Sequence, residues 1–381
     1  MGSKEWSVHN PEGSKRVVVT KNLPGKRWLD ILVQAGCKVE ICTSTDILSA
    51  ADITAAIGNN CDGAIGQLTE GWGEELFAAL AKAGGKAYSN YAVGFNNIDV
   101  DAATRHGIPV GNTPGVLTET TAQMAVALTF AAARRISEAE RFLLNGKYKG
   151  WLPTLFLGNL LWRKTLGVIG AGRIGATYAQ MMVEGHKMNL IYFDPYPKKE
   201  LEDYFIRYSE FLASQGMPPV TCKRVESIED LLKEADCVSI HTILDDSTHH
   251  LINKQRLSLM KKDAILVNTS RGPVIDEAAL VEHCRAHPDF RVGLDVFEEE
   301  PELKPGLADL DNVVKVPHIA SATGWTRQGM ATLAASNVAA LLMGYPVWQK
   351  PDISSFLEGK PPKAAPSILN AKELAISIYA G

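Results

Sequence analysis

The segment that most restricts this chain is TLGVIGAGRIGATYAQMM, starting at Thr165. An apolar, β-branched run leads into Gly170, Gly172 and Gly175, and a helical pattern follows. Each glycine has a separate physical task. Gly170 permits a tight turn, Gly172 lets an anion approach the backbone, and Gly175 lets the helix close on the strand. The free N–H groups at the start of that helix suit a pyrophosphate, so Arg173 and Ile174 fall beside it. The next apolar run ends in Asp194, 19 residues after Gly175. A carboxylate there fits the ribose hydroxyls of a dinucleotide. It also repels a 2′-phosphate, so the expected cofactor is NAD, with NADH preferred over NADPH. Lys198 and Lys199, just beyond, read as a solvated turn.

The rest of the chain alternates short apolar runs with helical patterns, which implies parallel α/β sheets. Residues 16–20, 37–42, 62–66, 86–90 and 108–112 read as the strands of a first unit. Residues 165–170, 190–194, 237–241, 264–270, 290–297 and 312–318 read as those of a second. Between them, 118–143 is Ala-rich and apolar on most faces, and reads as one long buried helix. Residues 1–15 read as loose, 198–222 as an added polar helix, and the Pro-rich tail after Gly344 as a surface segment. At roughly 150 residues per domain, 381 residues make two domains.

Composition excludes several function classes. Net charge is −4, which gives no global attraction for nucleic acid or an anionic membrane. No apolar run reaches the roughly 20 residues of a membrane span, and the N-terminus carries no secretory pattern. Six cysteines without CxxC spacing read as reduced thiols, and no metal site is expected. Gly2 lacks the Ser or Thr that acylation would want at position 6, and Tyr379-Ala380-Gly381 is not a peroxisomal tripeptide. On residues alone the chain reads as cytoplasmic. The sequon at Asn268 ends a buried strand and is rejected.

Three further segments end strands of the second unit: VNTSRG (267–272), GLDVFEEEP (293–301) and VPHIASATGW (316–325). Ligands of open α/β sheets bind beyond the carboxyl ends of strands. Arg271 supplies a permanently charged fork for a planar carboxylate. His318 is a candidate proton donor, and Glu300 a carboxylate that fixes its tautomer and stabilises the imidazolium. With a dinucleotide, this set implies reduction of a carbonyl in a small 2-oxoacid.

These segments, together with NYAVGFNNIDVDAA (90–103) and SRGPVIDEAALVEH (270–283), resemble the D-isomer-specific 2-hydroxyacid dehydrogenase family over roughly residues 16–345. The stretch at 198–222, PELKPGLAD (301–309) and GWTRQGMATLAASN (324–337) are similar to its plant-type branch, whose members reduce hydroxypyruvate. The resemblance implies two doubly wound parallel-sheet domains. A Rossmann NAD-binding domain (119–325) is inserted in a flavodoxin-like substrate-binding lid domain (1–118 and 326–381). It implies hydroxypyruvate reduction to D-glycerate and, secondarily, glyoxylate to glycolate, in photorespiratory-type metabolism.

By that resemblance Arg271, Glu300 and His318 are catalytic. Arg271 and His318 also touch the substrate, whose carboxylate meets Ala92, Val93 and Gly94. Thr269 and Asp295 lie at the nicotinamide end, with Thr121 and Ile243 as further cofactor contacts. Ile243 stands where many members have proline, which leaves a backbone contact. Trp151 and Trp325 either shape the substrate pocket or merely pack. The 118–143 helix belongs to a homodimer interface, and the compartment is the peroxisome, against the reading of the residues. Two alternatives stay open: another 2-oxoacid reductase such as phosphoglycerate dehydrogenase, and an NAD-sensing corepressor on the same fold.

Overall fold

A computed structural model describes residues 5–379. Gly2, Ala380 and Gly381, on which the acylation and address readings turn, lie outside the described residues. The chain divides into two compact units, Met1–Leu117 with Ala322–Gly381, and Thr118–Ser321. Among the described residues no helix is long and apolar enough to cross a membrane. All six cysteines are free thiols.

The first unit holds β1 (Trp6–His9), β2 (Lys15–Val19), β3 (Cys37–Cys42), β4 (Gly63–Gly66), β5 (Ala87–Asn90) and β6 (Val110–Gly111). Their order is β1-β3-β2-β4-β5-β6. Without β1 this is the flavodoxin-like winding, all parallel. β4 and β5 are buried throughout, as strands covered on both faces must be.

Two expectations need correction here. Residues 6–9 are not loose: β1 pairs antiparallel with β3. Its short polar run lacks a strand pattern, but the β3 backbone supplies the partners and Trp6 packs on the core. The tail is not simply a surface segment either. Phe356, Ala364, Ala365 and Asn370 are buried. Asn370 donates to Ile108 O at 3.0 Å and accepts from Val110 N at 2.9 Å, so one carboxamide ties the tail to the β6 backbone. The helix Gly324–Leu342 is buried along most of its length in this unit.

The second unit holds β7 (Thr165–Ile169), β8 (Asn189–Phe193), β9 (Cys222–Arg224), β10 (Cys237–Ile240), β11 (Ile265–Asn268), β12 (Arg291–Leu294) and β13 (Val313–Lys315). The order β13-β12-β11-β10-β7-β8-β9 is the Rossmann winding with one strand added. It reverses between β7 and β10, so the loops after those two strands flank a crevice. The helix Thr118–Ala133 lies on this sheet through a glycine: a Cβ on Gly293 would come within 2.9 Å of the Leu128 Cβ.

The single helix expected over 118–143 is two, Thr118–Ala133 and Ile136–Leu144. Arg135 between them is left-handed, at φ 56°. Its guanidinium is held by Glu138 at 2.7 and 2.9 Å. The amide of Asn159 takes the Ala133 carbonyl at 2.9 Å, so a returning segment caps the first helix. Local composition favours continuation; that distant contact ends it.

Candidate active site

The glycine turn sits at the reversal of the second sheet. Gly170 has φ +88°, and a Cβ there would lie 2.7 Å from His241 O in the loop after β10. A Cβ on Gly175 would lie 2.1 Å from Gly170 O, so only glycine lets the helix Arg173–His186 start there. Around Gly172 a Cβ would meet nothing within 4 Å. Gly172 is also the N-cap, and no side chain covers the first helical amides. Open space against unspent N–H groups is what a pyrophosphate needs.

Asp194 follows β8 and is only 7% exposed. Its Oδ2 accepts from Ala171 N at 3.0 Å and its Oδ1 from Tyr196 N at 3.0 Å, which fixes the carboxylate beside the turn. Lys198 is not part of a solvated turn: its Nζ pairs with Asp194 Oδ1 at 3.1 Å, because the helix Lys199–Ser214 begins there and turns it back. Lys199 is exposed.

Beyond β11 and β10, the hydroxyls of Thr269 and Thr242 are buried without a hydrogen-bond partner among the described residues. Orphaned buried hydroxyls are costly and suit a polar ligand. Thr242 escaped the sequence reading, since a lone threonine after a strand carries no signal. Thr121 is buried in the first turn of Thr118–Ala133. Ile243 is exposed, and its carbonyl accepts from Thr248 Oγ1 at 2.8 Å. The donors and the space fit a dinucleotide.

Arg271, Glu300 and His318 come from three loops of the same unit. Asn268, the last residue of β11, organises the first loop. Its Nδ2 donates to Arg271 O at 2.8 Å, and its Oδ1 accepts from Ser270 N at 3.0 Å and Ser270 Oγ at 2.7 Å. A Cβ on Gly272 would fall 1.8 Å from Phe297 O, so glycine brings the Arg271 loop against the Glu300 loop. Neither role was read from the sequence, where both residues look like ordinary turn formers. Burial pulls the Arg271 guanidinium below its usual pKa, against the opposing pull of Glu300.

Glu300 Oε1 accepts from Phe297 N at 3.0 Å, and Oε2 lies 2.9 Å from His318 Nδ1. Burial pushes the Glu300 carboxyl up, but His318, the Phe297 amide and Arg271 outweigh it and hold it below the usual range. The ionised carboxylate only accepts, so Nδ1 carries the hydrogen toward it and Nε2 is the exchangeable end. His318 is left-handed at φ 51°. Its own N–H donates to Asp295 O at 2.8 Å. Asp295 is fully buried and accepts from Ile319 N at 2.7 Å and Ala320 N at 3.0 Å. Burial raises its pKa, opposed by those amides. In this structure Asp295 is the brace of the His318 loop.

Ala92, Val93 and Gly94 belong to the first unit, in the loop after β5. Trp151 and Trp325 are exposed at 79% and 63% within the chain, so neither belongs to its core.

Comparisons with known proteins identify the family. Residues 126–320 match the model described as D-isomer specific 2-hydroxyacid dehydrogenase, NAD binding domain. A peroxisomal glycerate dehydrogenase of Arabidopsis thaliana is 61% identical over 375 residues, 97% of this chain and 97% of that protein. A glyoxylate reductase of Korarchaeum cryptofilum is 43% identical, covering 75% of this chain and 81% of its own. A solved Thermus thermophilus structure superposes with TM-score 0.76 at 38% identity, over 86% of this chain and 97% of that one. The chain belongs to the D-isomer-specific 2-hydroxyacid dehydrogenase family.

Proposed function

We propose that this chain reduces hydroxypyruvate to D-glycerate with NADH, and glyoxylate to glycolate more slowly. The observation that carries the reading is the His318–Glu300 pair beside the Arg271 loop, in the sheet that holds the dinucleotide turn. The names of the Arabidopsis and Korarchaeum relatives support the two substrates.

The nicotinamide, when bound, supplies a hydride to the substrate C2. The remaining work falls to side chains. Arg271 binds the carboxylate as a fork. His318 Nε2 gives its proton to the carbonyl oxygen, while Glu300 keeps Nδ1–H in place and stabilises the imidazolium. The same proposal gives Ala92, Val93 and Gly94 to the carboxylate through backbone amides. Gly170, Gly172, Arg173, Ile174 and Gly175 are assigned to the pyrophosphate, Asp194 to the ribose, and Thr121, Ile243, Thr269 and Asp295 to the rest of the dinucleotide.

NADH oxidation with hydroxypyruvate, glyoxylate, pyruvate and 3-phosphohydroxypyruvate tests the substrate. Hydroxypyruvate leads if the reading holds; no turnover despite NADH binding overturns it. Asp194 supports NADH over NADPH, and Lys198 partly offsets its charge. A kcat/KM with NADPH equal to that with NADH would refute this preference.

A homodimer is proposed as well. Leu144, Trp151 and Leu160 are 77%, 79% and 75% exposed within one stretch, and apolar surface of that kind marks an interface. Light scattering should give twice the mass of one chain, and Leu144→Glu should halve it. The peroxisome is proposed as compartment from the Arabidopsis relative's name; recovery of the native chain in the cytosolic fraction alone would refute it.

A further inference from the structure

We propose that Asn90 and Asn112 are positioning residues that aim the backbone amides of the substrate loop, and that Ser367 locks Asn112. This rests on the assignment of Val93 and Gly94 to the substrate carboxylate.

Three successive carbonyls of the loop after β5 each accept a hydrogen bond. Ala92 O accepts from Thr113 N at 2.8 Å. Val93 O accepts from Asn112 Nδ2 at 2.9 Å, and Gly94 O from Asn90 Nδ2 at 3.1 Å. The peptides that follow these carbonyls are trans. In a trans peptide the N–H points opposite its carbonyl. The N–H groups of Val93, Gly94 and Phe95 are therefore turned away from the three donors. Among the described residues none of them has an acceptor. Successive unspent amides form an anion-binding concavity.

The carboxamides can do this only in one orientation. A carbonyl oxygen only accepts, so each asparagine must present its nitrogen to the loop. Asn97 enforces this at Asn90: its Nδ2 faces Gln67 O at 3.1 Å and Glu70 O at 2.9 Å, leaving Oδ1 to accept from Asn90 at 3.1 Å. Ser367 enforces it at Asn112 by donating to Oδ1 at 2.6 Å. Asn337 holds the same corner, donating to Asn112 O at 2.9 Å and accepting from Ser367 N at 2.9 Å. Asn90 is fully buried and Asn112 is 5% exposed, so water does not compete for these bonds. The C-terminal segment thus sets the aim of amides that lie far earlier in the chain.

The test uses Asn112→Asp, Asn90→Asp and Ser367→Ala in the full chain. Aspartate keeps the shape but loses the donor. KM for hydroxypyruvate should rise about 10- to 100-fold in the first two, the scale of a lost hydrogen bond to a charged group. It should rise by a few-fold in Ser367→Ala, with NADH affinity and kcat held within about twofold in all three. Lowering the pH should bring the Asn112→Asp KM back toward that of the parent, because the protonated carboxyl regains a donor; a purely structural lesion would not recover. Gly94→Pro, which deletes one loop amide, separates the two claims. If it raises KM while both asparagine variants leave KM alone, the positioning role is wrong. If it leaves KM alone, the loop assignment fails and the inference with it. A parallel loss of NADH affinity in the asparagine variants also overturns it.

Discussion

The two units differ in the kind of group they place at their strand ends. In the second, Arg271, Glu300 and His318 are ionisable; Glu300 opposes the downward shift of Arg271, and His318 and Arg271 help hold Glu300 below the usual range. In the first, the groups around the substrate loop are the neutral carboxamides of Asn90, Asn97, Asn112 and Asn337. A buried amide needs only its hydrogen bonds, whereas a buried charge needs a partner of opposite sign. Charge is present where a proton moves or a carboxylate is bound, and neutral carboxamides set direction around the substrate loop. One charged pair of the first unit, Arg16 with Glu40, is a structural clamp. Arg16 Nη1 donates to the carbonyls of Ile57 and Asn60, both at 2.7 Å.

The largest effect that would break this contrast is on His318. His318→Gln should lower kcat by about 10²-fold or more and leave NADH affinity unchanged. Near-normal turnover would remove proton transfer from the second unit. Glu300→Gln should lower kcat at neutral pH by less than His318→Gln does, because it acts through the imidazole. The parent's Glu300 stays ionised to below the usual carboxylate range, so the support it gives His318 is lost only as pH falls through that depressed value. A pH–rate profile whose acid limb is the same in both proteins would contradict this.

Asn268→Ala sharpens the comparison, because it removes a neutral brace from the charged site. Loss of a fully buried carboxamide with three bonds should cost about 2–3 kcal/mol in denaturant unfolding and raise KM through Arg271. A change in stability without a change in KM would detach Asn268 from the site.

The smallest effect is Glu40→Gln. Arg16 lowers the Glu40 carboxyl from 4.5 to about 2. A depressed folded-state value stabilises above the unfolded value and loses that stability as pH falls through the folded one. After allowance for solvent, about 1 kcal/mol should separate the proteins at neutral pH and vanish toward pH 2. A gap that persists in acid would mean packing, not charge.

The chemistry of the second unit was legible because it is written locally. The glycines, Asp194 and the residues after β11, β12 and β13 each follow an apolar run that announces a strand. Their convergence follows from the parallel winding. What stayed hidden depends on contacts distant in sequence. The break at Arg135 depends on Asn159, 24 residues on, and β1 depends on β3. Lys198 looks solvated until the helix turn brings it to Asp194. The carboxamides around the substrate loop were invisible for the same reason: Asn112 meets Ser367 across 255 positions, and no period or spacing records that.

The insertion of the second unit also imposes an order on biosynthesis. The helix Gly324–Leu342 packs on the first sheet so closely that a Cβ on Gly63 would touch Val338 at 3.0 Å, and one on Gly111 would meet Asn337 at 2.7 Å. That helix leaves the ribosome only after the intervening unit, Thr118–Ser321, has been made. At roughly 5–20 residues per second, the delay is about 10–40 s. Through that interval the nascent first sheet has one apolar face without its cover, whereas the second unit is made in one run and waits for no later segment. The half-built first unit is therefore the stretch of nascent chain with most to gain from a holding chaperone.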